Sequence, residues 1–567
     1  MRRALPRYPS EVQELLKLSG EGVPLDTWLA GAESSVEFLK ENARAERIVI
    51  YASLKHVLIE GVLAPLKQLK NPDQSEVGNG FQSSDAAWYI EYASGGGKPD
   101  RVYLTTPLTD SPTLKGGEQL VFRRSWPVMP HASTDISQRL IHALQLHFVD
   151  YRKAYCRLDE LGEIEDIINI IDVPSDTFAD SIFVVTIRAH EFFEFARLAG
   201  MGVYFFYDFT RYQSGSFNGW SNQRTFQSAD PHLFYHGGVQ RGSGSYINGR
   251  QVVIPPVTKA EIVRRYKERL APKKRLYGTF KAQNLKTRER IEVSCDPAKL
   301  SNYFQPQSNL PLEMSPAFFR AEVLHKYKAD PAKYELTDRD ISCRGTWRLK
   351  TYDVNDAGQV HTYLRYLADL PYQEQTYWQS FNEWPKGLIS QRAFRTDFLG
   401  KWSADYEPLR EIKRKVERLD AMSLVWWKPR GADTARAVHP PVTGSESEWA
   451  EAVLTLDQLV IEGFQDKPLR KVALDLGRTL EPEWRSLKII EECLIGKGAN
   501  ANAAKEVVNS LRAVRDLRTI VKGHAAPEKK AMAISDARTK YGSFRAHFEA
   551  LAAACDDALG VVMAQLN

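Results

Sequence analysis

From Ser445 to the C-terminus the apolar residues recur with a helical period, and this constrains the fold of the chain more than any other feature. Trp449, Val453, Leu456, Val460 and Phe464 follow one another at three- and four-residue steps, the spacing that lines one face of a helix. Ser445 and Glu448 have the form of a capping box at its start. Further helices are expected at about 482–495, 500–522, 528–540 and 543–566, the last with Phe544, Phe548, Leu551, Cys555, Leu559 and Val562 on one stripe. Strand-like alternation is missing from this region, so residues 445–567 are expected to form a bundle of four or five helices.

Upstream the pattern changes. Lys428-Pro-Arg-Gly431 through His439-Pro-Pro-Val-Thr-Gly444 breaks both helix and strand periods, which marks 428–444 as a linker. Residues 259–427 begin with a basic helix and continue with strands at Leu276–Gln283, Glu289–Ser294 and Gly345–Tyr352, with a turn over Asp353–Gly358 and a helix at about Leu409–Met422. Residues 136–258 form a second segment that opens with a helix at about Ile136–Arg152 and continues with strands at Ala154–Leu158, Ser181–Ile187 and Val203–Phe209. Asn248-Gly249 there is expected to make a tight hairpin turn. Residues 1–135 read as helix, strand, helix from Val12 to about Lys70, with the strand at Arg47–Ser53, and then as short strands at Ala87–Tyr92, Arg101–Thr105 and Gln119–Arg123. A chain of 567 residues exceeds what one core can hold. The expectation is a multidomain α+β protein, with mixed α/β N-terminal and middle domains and an all-α bundle at the C-terminus.

The five cysteines, Cys156, Cys295, Cys343, Cys493 and Cys555, are far apart and form no Cys-x-x-Cys pair, so they are expected to be reduced, buried thiols. His232-x3-His236 has helical metal-pair spacing. Its surroundings read as strand, which would put the two rings about 13 Å apart along the chain, and no metal or cofactor is expected. His190-Glu191-x-x-Glu194 lacks the second histidine of a zinc-protease helix. The absence of a long apolar run or signal-type start leads to the expectation of a cytoplasmic protein without a membrane partner.

In the helix near Ala501 the apolar face runs Val507, Leu511, Val514, then Arg518, then Val521, so an arginine interrupts a buried stripe. Gly523 is expected to end the helix, with His524 just beyond it. This Arg518-x5-His524 element at a helix end in a helical bundle resembles the HEPN ribonuclease superfamily. Arg124 with His131 and Arg320 with His325 have similar spacing, so the helical context carries the resemblance. The match departs from the usual form in having Thr519 after the arginine, where Asn, Asp or His is common. The resemblance implies a homodimer through the C-terminal bundle that cleaves RNA without a metal. His524 would transfer the proton and Arg518 would stabilise phosphate charge. By association it also implies a bacterial defence or toxin role, with the N-terminal part as a sensing region.

Two other readings stand beside it. The stretch Lys259–Arg290 holds twelve cations against Glu261, Glu268 and Glu289, in a chain whose formal net charge is +5. With Tyr266, Tyr277 and Phe280 interleaved, Arg264, Arg265, Lys267, Lys273, Lys274 and Arg275 are candidates to bind RNA or another nucleic acid. Polar and aromatic residues also crowd Arg344–Trp347, Gly358–His361, Glu374–Trp378 and Asn382–Lys386, which would suit either a small-molecule pocket of a metabolic enzyme or a sheet–helix interface.

Overall fold

A computed structural model of the protein describes residues 10–18, 32–72, 89–105, 114–124, 133–173, 181–212, 222–224, 230–240, 244–271, 275–305, 307–337, 339–401, 407–441, 444–523 and 526–566. The chain divides into two compact units, one of Met1–Leu158 with Ile164–Lys273, the other of Asp159–Glu163 with Lys274–Asn567. It is a multidomain α+β protein, rich in strand through its N-terminal and middle regions and helical at its C-terminal end. No described helix is long and apolar enough to cross a membrane.

In the first unit, eleven strands among the described residues join one antiparallel sheet. In chain order they are β1 (Arg47–Leu54), β2 (Val57–Pro65), β3 (Glu118–Gln119), β4 (His147–Val149), β5 (Ala154–Leu158), β6 (Ile164–Val173), β7 (Ile182–Arg188), β8 (Met201–Tyr212), β9 (Asn222–Arg224), β10 (Leu233–Gln240) and β11 (Gly244–Val253). Across the sheet they run β9-β10-β11-β8-β2-β1-β7-β6-β5-β4, with β3 on β2. The alternation along β8 sorts the two faces. Val203, Phe205, Tyr207 and Phe209 enter the main core with Val12 and Leu15 of α1 (Ser10–Leu18), Val36 and Leu39 of α2 (Ala32–Asn42), and Phe192 and Phe195 of α3 (Ala189–Ala199). Tyr204 belongs to a smaller cluster on the other face with Val62, Ala64 and Val252. The unit ends in α4 (Lys259–Leu270), opened by a complete capping box of Thr258 and Glu261.

Pairing of β1 and β2 with β7 and β8 carries this sheet across residues 135–136, where two separate domains are expected from the sequence. Asn248-Gly249 is not a turn either. Both residues lie inside β11, opposite Asp208 and Tyr207 of β8. A Cβ on Gly249 would come within 1.8 Å of the Tyr207 ring, so glycine is needed here for close approach and not for a positive φ.

The second unit contains an antiparallel sheet of β12 (Thr279–Gln283), β13 (Arg290–Ser294), β14 (Pro316–Phe319), β15 (Asp353–Val354), β16 (Val360–Tyr363) and β17 (Asn382–Glu383). Its order is β13-β12-β14-β16-β15, with β17 on β14. Of the turn expected over 353–358, Asp353 and Val354 form β15, and the remaining residues lead to β16, with Gly358 at a φ of +74°. The helices follow as α5 (Pro408–Ala421), α6 (Glu446–Val460), α7 (Asp466–Asp475), α8 (Ser486–Gly496), α9 (Ala501–Lys522), α10 (Pro527–Tyr541) and α11 (Phe544–Leu566). Their shared core also takes in Ile412, Val416 and Leu419 of α5, Trp426, Trp427 and Val438. The helical packing therefore begins upstream of Ser445, and the 428–444 stretch carries a short helix, Gly431–Ala437. Ser445 caps α6, but the Glu448 carboxylate accepts a hydrogen bond from Lys328 Nζ at 2.6 Å. All five cysteines are buried free thiols.

Candidate functional site

The helix that carries Arg518 is α9. Asn500 caps it, accepting a hydrogen bond from the Asn502 N–H at 2.8 Å, and it buries Ala504, Val508, Leu511, Val514, Leu517 and Val521. Arg518 flanks that stripe and does not enter it, with 40% of its side chain exposed. Its Nε lies 3.9 Å from Oδ2 of Asp457 on α6, while Arg515 Nε lies 3.2 Å from Oδ1 of the same carboxylate. Asp457 is 1% exposed, and burial pushes its pKa up against the opposing pull of Arg515 and then Arg518. The carboxylate therefore hydrogen-bonds Arg515 and stands within ion-pair distance of Arg518, whose Nε is buried without a hydrogen-bond partner among the described residues. A carboxylate this deep is tolerable because cations stand beside it.

Neither Asp457 nor Arg515 stands out in the sequence. The available signals were an acid directly after Leu456 on an apolar stripe and a second arginine three residues before Arg518. Gly523 does end α9, as expected. It does so with φ −88°, and a Cβ there would meet the Thr519 carbonyl oxygen at 2.3 Å. His524 lies outside the described residues, as do Lys273 and Lys274.

The basic stretch divides by use. Arg264, Arg265 and Lys267 are exposed on α4, where Ile262 is the sole buried residue, and Arg265 Nη1 lies 2.8 Å from His190 Nε2. Arg275, in contrast, donates to the carbonyls of Asp369 and Leu370 at 2.9 and 3.1 Å. Lys286 Nζ donates to Ser301 Oγ and to the Ser308 and Leu310 carbonyls, and Arg290 to the Pro385 carbonyl. These three cations stitch chain segments together, which removes Arg275 from the set that can reach a phosphate freely.

Many polar residues of 343–400 are likewise occupied within the fold, although Trp347 Nε1 and His361 Nδ1 are buried without a hydrogen-bond partner among the described residues. Trp378 Nε1 donates to Tyr327 Oη, and Tyr327 donates to Glu374, which also pairs with Lys326. Arg344 donates to the Gly162 carbonyl, and Asn382 Nδ2 to the carbonyls of Lys281 and Phe318. His361 is 1% exposed, its Nε2 accepts the Ser390 N–H at 3.0 Å, and burial pushes its pKa down to about 4. Burial would raise the carboxyl of Asp353, but a two-toothed bond from Arg392 outweighs it and holds the pKa near about 2. These bonds tie the named side chains to neighbouring segments of the second unit.

Among the described residues no three His, Cys, Asp or Glu side chains gather in a way that could hold a metal ion. His236 lies in β10 and His232 just before it. Glu191 accepts from Arg157 at 2.9 Å, so the His190–Glu194 stretch is tied into the first unit. Comparison of the chain with protein-family models, with curated proteins and with solved structures gives no match.

Proposed function

We propose that the protein is an RNA-cleaving effector whose chemistry resides in the C-terminal helical module. The observation that supports this is the grouping of two partly exposed guanidinium groups near the end of a helix beside the buried Asp457, which hydrogen-bonds Arg515 and lies within ion-pair distance of Arg518. Planar, permanently charged forks of this kind suit an in-line transfer at phosphorus. In the proposed reaction His524 takes the proton from a ribose 2′-hydroxyl. The 2′-oxygen attacks phosphorus, the bond to the 5′-oxygen breaks, and a proton is delivered to that oxygen. The products are a 2′,3′-cyclic phosphate and a 5′-hydroxyl. Two modules facing each other in a homodimer would complete the cleft.

The test is to incubate the full-length protein with end-labelled RNA beside an Arg518→Ala/His524→Ala variant. Loss of cleavage by about a hundredfold or more is expected, in line with removal of a general acid–base group and a charge stabiliser. Equal decay with both proteins, or no decay with either, would remove the proposal. The competing reading, nucleic-acid binding through Lys259–Arg290 without cleavage, is favoured by one observation, the exposure of the α4 cations.

A further inference from the structure

We infer that α4 is a peripheral docking helix for an anionic membrane surface. At about 100° per residue, Ile262, Tyr266, Leu270 and Val263 fall on one stripe about 100° wide. Arg265 and Arg269 border one edge of the stripe and Lys267 the other. Only Ile262 faces into the unit. Val263 is 52% exposed, Tyr266 39% and Leu270 77%. They continue onto Leu198 of α3, 51% exposed, and together line an apolar groove of about 600 Å³.

Water is a poor solvent for such a stripe, and a contiguous exposed apolar patch rimmed by cations marks a binding surface. What it binds follows from the pairing of the two features. A nucleic acid would engage the cations and leave Val263, Leu270 and Leu198 facing water. A headgroup–acyl boundary satisfies both at once, since the apolar side chains enter the acyl region while Arg265, Lys267 and Arg269 stay at the anionic headgroups. The Arg269 guanidinium lies 4.3 Å from the centre of the Tyr266 ring, which keeps that charge against the rim of the stripe. This departs from the expectation of no membrane partner, which rests on the lack of a spanning apolar run; a helix lying in the interface needs no such run.

The experiment is co-sedimentation of the full-length protein with vesicles of phosphatidylglycerol and phosphatidylcholine in equal parts, against pure phosphatidylcholine. The variants are Val263→Asp/Leu270→Asp and Lys267→Glu/Arg269→Glu, all at exposed positions, with circular dichroism to confirm folding. Wild-type protein is expected to partition about tenfold better into the anionic vesicles, and each variant to lose about tenfold. Absence of binding, equal binding to both vesicles, or an undiminished Val263→Asp/Leu270→Asp variant would overturn the inference. A short single-stranded RNA serves as competitor. If vesicles are ignored and RNA is bound in a manner lost only in Lys267→Glu/Arg269→Glu, α4 is a nucleic-acid surface instead. The inference is independent of cleavage by Arg518 and His524.

Discussion

Glu60 shows how one residue can store free energy in a fold. It lies on β2 directly opposite Phe206 of β8, whose partner on the far side is Arg250 of β11. It is 6% exposed, and burial raises its pKa from 4.5 to about 7 despite the nearby Arg250 charge. Because the folded-state pKa lies above the unfolded value, its contribution to stability is fully present below pH 4.5 and is lost as pH rises through 7. Glu60→Gln is therefore expected to stabilise the first unit by about 2–3 kcal/mol at pH 8 and to change little at pH 4.5. Urea unfolding at the two pH values measures this, and an equal effect at both would contradict it. Gly249→Ala should act in the opposite direction. Its Cβ would collide with Tyr207, which is fully buried, so a loss of about 3 kcal/mol or more is expected in the same measurement. The Asn-Gly pair is legible as a special backbone site, but a glycine serves either a left-handed turn or a close contact. The residue that decides between them comes from another strand.

At the scale of elements, two helices with similar sequence signals differ in how they are held. Both α4 and α9 combine cations with an apolar stripe, yet α9 buries six residues and α4 one. Burying a single Ile contributes about 1.5–3 kcal/mol, so α4 amides are expected to exchange hydrogen orders of magnitude faster than those at the centre of α9. Comparable protection of the two helices would refute this. The ion pairs of α6 with α9 make a second prediction. Asp457→Ala leaves Arg515 and Arg518 without their carboxylate and should destabilise the helical module by about 2 kcal/mol. This lies below the usual cost of breaking a buried pair because both arginines are partly solvated. Asp457→Asn should cost less, and denaturant titration ranks the two. If Arg518 acts on RNA, Asp457→Asn should also slow cleavage, through lost positioning of the guanidinium.

The molecule as a whole has a chain path that no periodicity announces. Residues Asp159–Glu163 belong to the second unit although β5 and β6 on either side belong to the first. Within the second unit, Arg344 donates to the Gly162 carbonyl and Lys333 pairs with Glu163. A single cut near Lys273 therefore leaves the second unit without one of its segments. Each unit has its own core, and calorimetry of the intact protein is expected to resolve more than one transition. One transition whose calorimetric and van't Hoff enthalpies agree would rule this out.

Read by itself, the sequence determined the α+β class, the helical nature of the C-terminal region, the positions of β1, β5, β7, β8, β12, β13, α4 to α6 and α8 to α11, the buried thiols and the concentration of cations near α4, whereas β2 and β4 lie where helix is expected. These are local properties, set by spacing within a few residues and by the chemistry of single side chains. Tertiary structure alone decided that β1 and β2 pair with β7 and β8, that the helical core reaches back to α5, and that Gly249 sits inside a strand. It also decided that Arg275, Lys286 and Arg290 clamp carbonyls while α4 stays open, and that Asp457 meets Arg515 and Arg518. The physical reason is common to all of these. Each depends on which distant segment arrives to bury an apolar face or to satisfy a buried charge, and that choice is made by the packing of the whole unit.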